Sequence, residues 1–296
     1  RMNQVNFETV PGKVLLFGEY SILFKSKGLI VPYNGFSGTL KLNGFHTESH
    51  EIIKALRSYL MDNNFTNIDF DKLNMAIDEG LYFDSSIPMG QGMGSSAAVT
   101  AALVKSYGLN IESMDSLELK NILGLIESYF HGKSSGFDPL VCCLNNTLLK
   151  TASGAVESIS LPKTRGEISI YLVPTGEERK GAKVIADFME KMKNEVFSND
   201  YNKDYIPLNN SCIDSFLQQK ADLSSTFEQL SISQFSIFKD SMSPEIKSLW
   251  LRGLECKDFF LKLCGAGGGG FYLAFSFKKE FIPPKDWIEL RLKDIG

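Results

Sequence analysis

Histidine and tryptophan are scarce, with three and two residues among 296. So few imidazoles leave little to build a Ser-His-Asp or Cys-His nucleophile from, and that chemistry is set aside. The five cysteines form neither a C-x-x-C pair nor a metal-ligand spacing. Cys142 and Cys143 are adjacent in an apolar segment and read as buried free thiols, which fits a reducing, cytoplasmic setting. His46 and His50 stand four apart but have no third ligand nearby. They read as exposed histidines at a helix start, and no zinc site is expected. No apolar run approaches the roughly 18 residues of a membrane span, and no signal-peptide core stands near the first residues. Neither a membrane nor a secreted location is expected. The net charge of −4 comes without any basic run, which argues against nucleic acid as a partner.

Two familiar phosphate loops are also missing. A Rossmann fingerprint requires G-x-G-x-x-G directly after a strand, and Gly90-Gln91-Gly92-Met93-Gly94-Ser95 breaks that spacing. Gly132-Lys133-Ser134 resembles the tail of a Walker A loop, but Glu127 occupies the position of its first glycine.

What is present is Pro88-Met89-Gly90-Gln91-Gly92-Met93-Gly94-Ser95-Ser96-Ala97-Ala98. Alternating glycines permit positive φ and close approach of a ligand. Ser95 and Ser96 are good N-cap residues, and the alanine-rich run behind them is a good helix former. A glycine loop entering a helix N-terminus presents N–H groups to an anion, typically phosphate.

Around this loop the chain reads as mixed strand and helix without a regular βαβ repeat, hence α+β. Residues 7–17 read as extended, 29–42 as a strand pair about Asn34-Gly35, 51–61 as a helix, and 75–83 as a further strand. The loop's helix ends near Gly108. Residues 115–130 form a second helix with an apolar stripe from Leu119 to Phe130, bordered by Glu127. Asp138 before Pro139 reads as the N-cap of a third. Composition changes near residues 161–167, dividing the chain into domains 1–165 and 166–296. Beyond it come a strand at 168–173, a helix at 180–193, several helices across 206–253, and strands at 259–263 and 271–277. The last two flank Gly265 to Gly270, five glycines in six residues. Such a run is entropically unfavourable unless backbone must approach something closely. Two glycine loops, Lys13, Glu127 and Asp138 together supply what phosphoryl transfer requires: N–H donors, a cation, oxygen ligands for Mg²⁺ and a carboxylate base.

Three segments resemble the three motifs of the GHMP kinases: residues 11–20 (Pro-Gly-Lys-Val-Leu-Leu-Phe-Gly-Glu-Tyr), 88–98 and 262–270. Within that family, Glu127 followed by Phe130-His131-Gly132, Ser135-Gly136 and Asp138 is most similar to the mevalonate kinase branch. The resemblance implies a two-domain fold with the active site in the cleft. Its N-terminal domain would carry a left-handed βαβ unit, and its C-terminal domain would be ferredoxin-like. The implied cofactors are ATP and Mg²⁺, and the implied substrate is a small-molecule alcohol, foremost mevalonate. Asp138 would take the hydroxyl proton, with Lys13 helping to orient that hydroxyl. Gly90, Gly92, Met93, Gly94, Ser95, Ser96 and Ala97 would wrap the phosphates. Ser96 (or Ser95) and Glu127 would ligate Mg²⁺. Glu19, Tyr20, Ser135, Gly136, Arg179, Gly265, Ala266 and Gly267 would line the substrate side. Tyr20, Cys264, Phe271 and Gly181 depart from the mevalonate kinase pattern. They keep phosphomevalonate open as acceptor, with Lys133 and Lys180 as candidate cations for its phosphate. A catalytically silent ATP- or metabolite-binding regulator is the alternative of another class. The family also includes homodimers.

Overall fold

The computed structural model describes residues 6–162, 168–178 and 180–291. Most of the boundary expected at 161–167 therefore lies outside the described residues. The architecture is α+β, in two compact units.

Among the described residues, unit 1 comprises 6–13, 32–89 and 93–146. Strand β1 (Thr9–Phe17) enters through it, and β2 (Gly28–Lys41) ends in it. Antiparallel pairing joins β2 to β3 (Tyr82–Ser85), with Gly38 opposite Ser85 and Lys41 opposite Tyr82. Five helices complete the unit: α1 (Glu48–Asp62), α2 (Phe70–Asp78), α3 (Ser95–Tyr107), α4 (Ser116–His131) and α5 (Phe137–Leu144). Nearly all of α3 is buried, as expected of a helix apolar all round. Helix α4 opens on a capping box between Asp115 and Glu118, which satisfies two otherwise orphaned N–H groups.

Among the described residues, unit 2 comprises 14–31, 90–92, 147–162, 168–178 and 180–291. The start of β2 pairs with β4 (Thr147–Lys150), which pairs in turn with β5 (Val156–Ile159). A second sheet has the order β7-β8-β6-β9, built from β6 (Ser169–Pro174), β7 (Phe260–Leu263), β8 (Phe271–Ser276) and β9 (Ile288–Glu289). Helices α6 (Gly181–Lys191), α7 (Glu195–Asp200), α8 (Ile206–Leu217), α9 (Leu223–Phe238) and α10 (Pro244–Cys256) make up the rest, with a π-helical turn at Tyr201–Tyr205. Strand β8 is buried along its whole length, and Phe17, Phe216, Phe227 and Phe275 meet ring to ring.

Several expectations are corrected. Residues 28–41 form one continuous strand in place of a hairpin, because its pairing partners β3 and β4 come from distant parts of the chain. Residues 75–83, read as a strand, are helical up to Asp78, the end of α2, and only Tyr82 and Phe83 of them belong to β3. The Asp69 side chain caps Lys72 N–H, and Leu73 and Ile77 are buried four residues apart on one face. Gly94, not a serine, is the N-cap of α3, and Gly136, not Asp138, is that of α5. His50 is buried, with Nδ1 2.7 Å from the Leu81 carbonyl, instead of standing exposed like His46.

Candidate active site

Strand β1 carries Lys13 past the phosphate-loop candidate. Two glycines make the approach possible. A Cβ on Gly12 would lie 2.9 Å from the Met93 carbonyl, and one on Gly94 would lie 2.7 Å from Lys13 Cγ. With neither present, Lys13 N–H donates to the Met93 carbonyl at 2.9 Å. Gly90, Gly92 and Gly94 all have positive φ, between 70° and 85°, which an L side chain disfavours. Helix α3 begins at once, and no side chain caps its first N–H groups. Those groups and the helix dipole favour an anion at this position.

Helix α4 supplies the first carboxylate. Glu127 lies four residues beyond Leu123 and is only 5% exposed. Its Oε1 accepts from Ser96 Oγ at 3.1 Å and its Oε2 from Ser134 Oγ at 2.5 Å. His131 Nε2 is 2.9 Å from the same Ser96 Oγ. Burial, and after it the charge of Asp138, push the Glu127 carboxyl above its usual range. Hydrogen bonds from Ser134 and Ser96 and the charge of Lys13 pull the other way.

Helix α5 supplies the second. Asp138 sits in its first turn, and its Oδ2 lies 2.7 Å from Lys13 Nζ. The lysine side chain is 8% exposed and the aspartate 40%, so the pair is closed on one side and open on the other. The N-cap, Gly136, lies two residues ahead of Asp138, and the Ser134 and Ser135 hydroxyls accept the N–H groups of Gly136 and Phe137. Gly136, at φ 76°, lies so close to Lys120 that a Cβ would sit 2.1 Å from its carbonyl oxygen.

Unit 1 therefore gathers Lys13, Ser96, Glu127 and Asp138, as their chemistry requires. Glu127 and the Ser96 hydroxyl are hard oxygen donors of the kind Mg²⁺ takes alongside phosphate oxygens. A cation there would also relieve the repulsion between Glu127 and Asp138, so the residues fit the metal.

The residues expected on the substrate side divide. Ser135 is exposed in the turn before α5, next to the buried Gly136. Arg179 lies outside the described residues. Glu19 and Tyr20 belong to unit 2 and are buried. The Glu19 carboxylate pairs with Lys262, and Gln234 Nε2 lies 3.3 Å from its other oxygen. Tyr20, at φ 62°, stacks its ring on Phe238 and donates its hydroxyl to the Ala266 carbonyl at 2.5 Å. Gly265 and Gly267 through Gly270 all have positive φ. A Cβ on Gly268 would meet Val184 at 2.7 Å, and Gly270 N–H is held by the Glu177 carbonyl. The glycine run is thus a tightly braced loop.

Sequence reasoning assigned no role to Ser134, His131, Gln234 or Lys262. For Lys262 a signal existed, since a single lysine inside the apolar strand Phe260–Leu263 needs a buried partner.

Residues 51–146 match the family model for the GHMP kinases N-terminal domain. Over 283 residues the chain is 23% identical to a mevalonate kinase of Archaeoglobus fulgidus, covering 88% of this chain and 89% of the relative. The structure of L. major mevalonate kinase in complex with R-mevalonate aligns with a TM-score of 0.65 at 17% identity, over 94% of this chain and 89% of that one. Streptococcus pneumoniae phosphomevalonate kinase in complex with phosphomevalonate and AMPPNP aligns with a TM-score of 0.65 at 16% identity, over 93% of each. The fold is shared with both.

Proposed function

We propose that this GHMP kinase, so assigned through its N-terminal domain, transfers the γ-phosphate of ATP to the 5-hydroxyl of mevalonate. The observation that carries the reading is the 2.7 Å contact between Lys13 Nζ and Asp138 Oδ2, on the same unit as the Ser96–Glu127 pair. Asp138 accepts the proton of the acceptor hydroxyl while that oxygen forms its bond to the γ-phosphorus. The bond from the γ-phosphorus to the β–γ bridging oxygen breaks, and ADP leaves with the electron pair. Lys13 holds Asp138 in place and presents a positive charge to the oxygen that loses its proton. The N–H groups opening α3 receive phosphate oxygens. Ser96 and Glu127 would hold Mg²⁺, which neutralises charge on the transferring phosphates when bound.

Mevalonate is favoured by the mevalonate kinase relative that spans most of the chain. A second acceptor, 5-phosphomevalonate, is favoured by the equal structural likeness to a phosphomevalonate kinase. The exposed Lys133, just ahead of the turn into α5, is a candidate cation for its phosphate.

The test is an ADP-release assay with Mg·ATP against mevalonate, 5-phosphomevalonate, homoserine and galactose, with products identified by mass. Turnover of mevalonate alone is expected. Asp138→Asn should lower kcat by about 10²–10⁴-fold, and a loss of only a fewfold would remove Asp138 as the base. Turnover of 5-phosphomevalonate alone would replace the acceptor. ATP binding without turnover of any acceptor would favour a regulatory, catalytically silent protein.

A further inference from the structure

We infer that Ser134 is a positioning residue that fixes the Glu127 carboxylate for a divalent cation and couples it to the helix bearing Asp138. The inference rests on the phosphotransfer reading above.

The two oxygens of Glu127 have different partners. Oε1 faces Ser96, at the start of α3, and Oε2 is bound by Ser134, in the turn between α4 and α5. A carboxylate that ligates a metal through one oxygen is oriented by a hydrogen bond to the other.

The two serines differ in the freedom of their protons. Ser96 Oγ lies between Glu127 Oε1 at 3.1 Å and His131 Nε2 at 2.9 Å. With His131 Nε2 unprotonated, the single proton of Ser96 can turn from one to the other, which releases Oε1 and a hydroxyl lone pair toward a cation. Ser134 has no such alternative. Its Oγ accepts Gly136 N–H at 3.0 Å, so its one proton is directed to Glu127 Oε2.

The rest of Ser134 is also held. Its N–H donates to Ser128 Oγ at 3.1 Å, and that hydroxyl donates to the Gly124 carbonyl at 2.7 Å. Ser134 is therefore the vertex where α4 meets the turn that starts α5. Gly124 lets the turn lie close, because a Cβ there would be 3.1 Å from Gly136 Cα. Two residues after Gly136 comes Asp138. One hydroxyl thus sets the metal carboxylate and the first turn that carries the base, without touching substrate itself.

The experiment compares Ser134→Ala, which removes the hydroxyl, with Ser134→Thr, which keeps it. Mn²⁺ binding is followed by electron paramagnetic resonance in the presence of a non-hydrolysable ATP analogue, alongside kcat, acceptor KM and thermal midpoint. Ser134→Ala should weaken Mn²⁺ binding and raise the Mg²⁺ concentration for half-maximal turnover by about 10-fold or more, with acceptor KM little changed. Ser134→Thr should stay within about twofold of the unaltered protein, in keeping with a role that needs only the hydroxyl. Unchanged Mn²⁺ binding in Ser134→Ala overturns the inference. So does a fall in thermal midpoint and turnover with cation affinity intact, which marks a merely structural serine. Should the unaltered protein bind Mn²⁺ and nucleotide in a Ser134-dependent way yet phosphorylate no alcohol, the acceptor reading fails and this inference stands. Absence of any Mn²⁺–nucleotide complex would overturn both.

Discussion

Lys262 has no exposed surface, although its neighbours Phe260, Leu261 and Leu263 are the residues expected in that strand. Its ammonium group bonds the Glu19 carboxylate and, at 2.7 Å, the Leu263 carbonyl. Gln234 completes the cluster: its Oε1 accepts Leu263 N–H at 2.8 Å, and its Nε2 donates to Tyr205 Oη at 2.9 Å. Burial pushes the Glu19 carboxyl above its usual range, outweighing the opposing pull of Lys262. A buried pair of this kind is weakly stabilising as a whole, but removing one partner strands a charge in the interior. Lys262→Met should therefore lower stability by about 3–5 kcal/mol. The double variant Glu19→Gln with Lys262→Met should recover most of that loss. Urea midpoints of the two variants decide the matter, and equal instability would show that packing, not charge pairing, sets the energy.

At the level of turns and helices, the glycines separate strain from contact. Gly136 and Gly154 both have positive φ, so an alanine at either meets the same left-handed penalty of about 1–2 kcal/mol. At Gly154 a Cβ would have nothing within 4 Å, whereas at Gly136 it would lie 2.1 Å from the Lys120 carbonyl oxygen. Gly154→Ala should shift the thermal midpoint by a few degrees and leave turnover intact. Gly136→Ala should unfold the α4–α5 turn or abolish activity, and equal midpoints for the two variants would contradict this account. The same contrast explains what could be read locally. Helix α4 was legible because its cap and apolar spacing sit within a few residues, and α3 because of its alanine-rich run, although its N-cap is Gly94 and not a serine; Lys13, Glu127 and Asp138 stood out as charges beside glycine loops. The hairpin expected at Asn34-Gly35 was not formed, because strand pairing is decided by partners far along the chain. The roles of Ser134 and His131 could not be read for the same reason: a side chain gains its role only when the fold brings its partner to it, Glu127 to Ser134 and Ser96 to His131.

Across the whole chain, the buried titratable groups predict a response to alkali. Burial pushes the Cys143 thiol up to about 11, and the Tyr107 and Tyr272 phenols up to about 12. Burial likewise raises the Cys142 and Cys212 thiols. In the unfolded chain a thiol ionises near pH 8.5 and a phenol near pH 10, as approximate reference values. Between about pH 8.5 and 11 the unfolded state therefore sheds thiol protons that the native state keeps. Stability from these groups is fully present below the unfolded values and is lost as pH rises toward the folded ones. Each group contributes a slope of about −1.4 kcal/mol per pH unit while that difference persists. Urea unfolding at pH 7, 8, 9 and 10 under reducing conditions should show a midpoint that falls increasingly steeply above about pH 8.5. Cys143→Ala should flatten the decline, because one of the three thiols raised by burial no longer takes part. A midpoint that stays level to pH 10 would mean that Cys142, Cys143 and Cys212 ionise as readily in the folded protein as outside it, against this account of their burial.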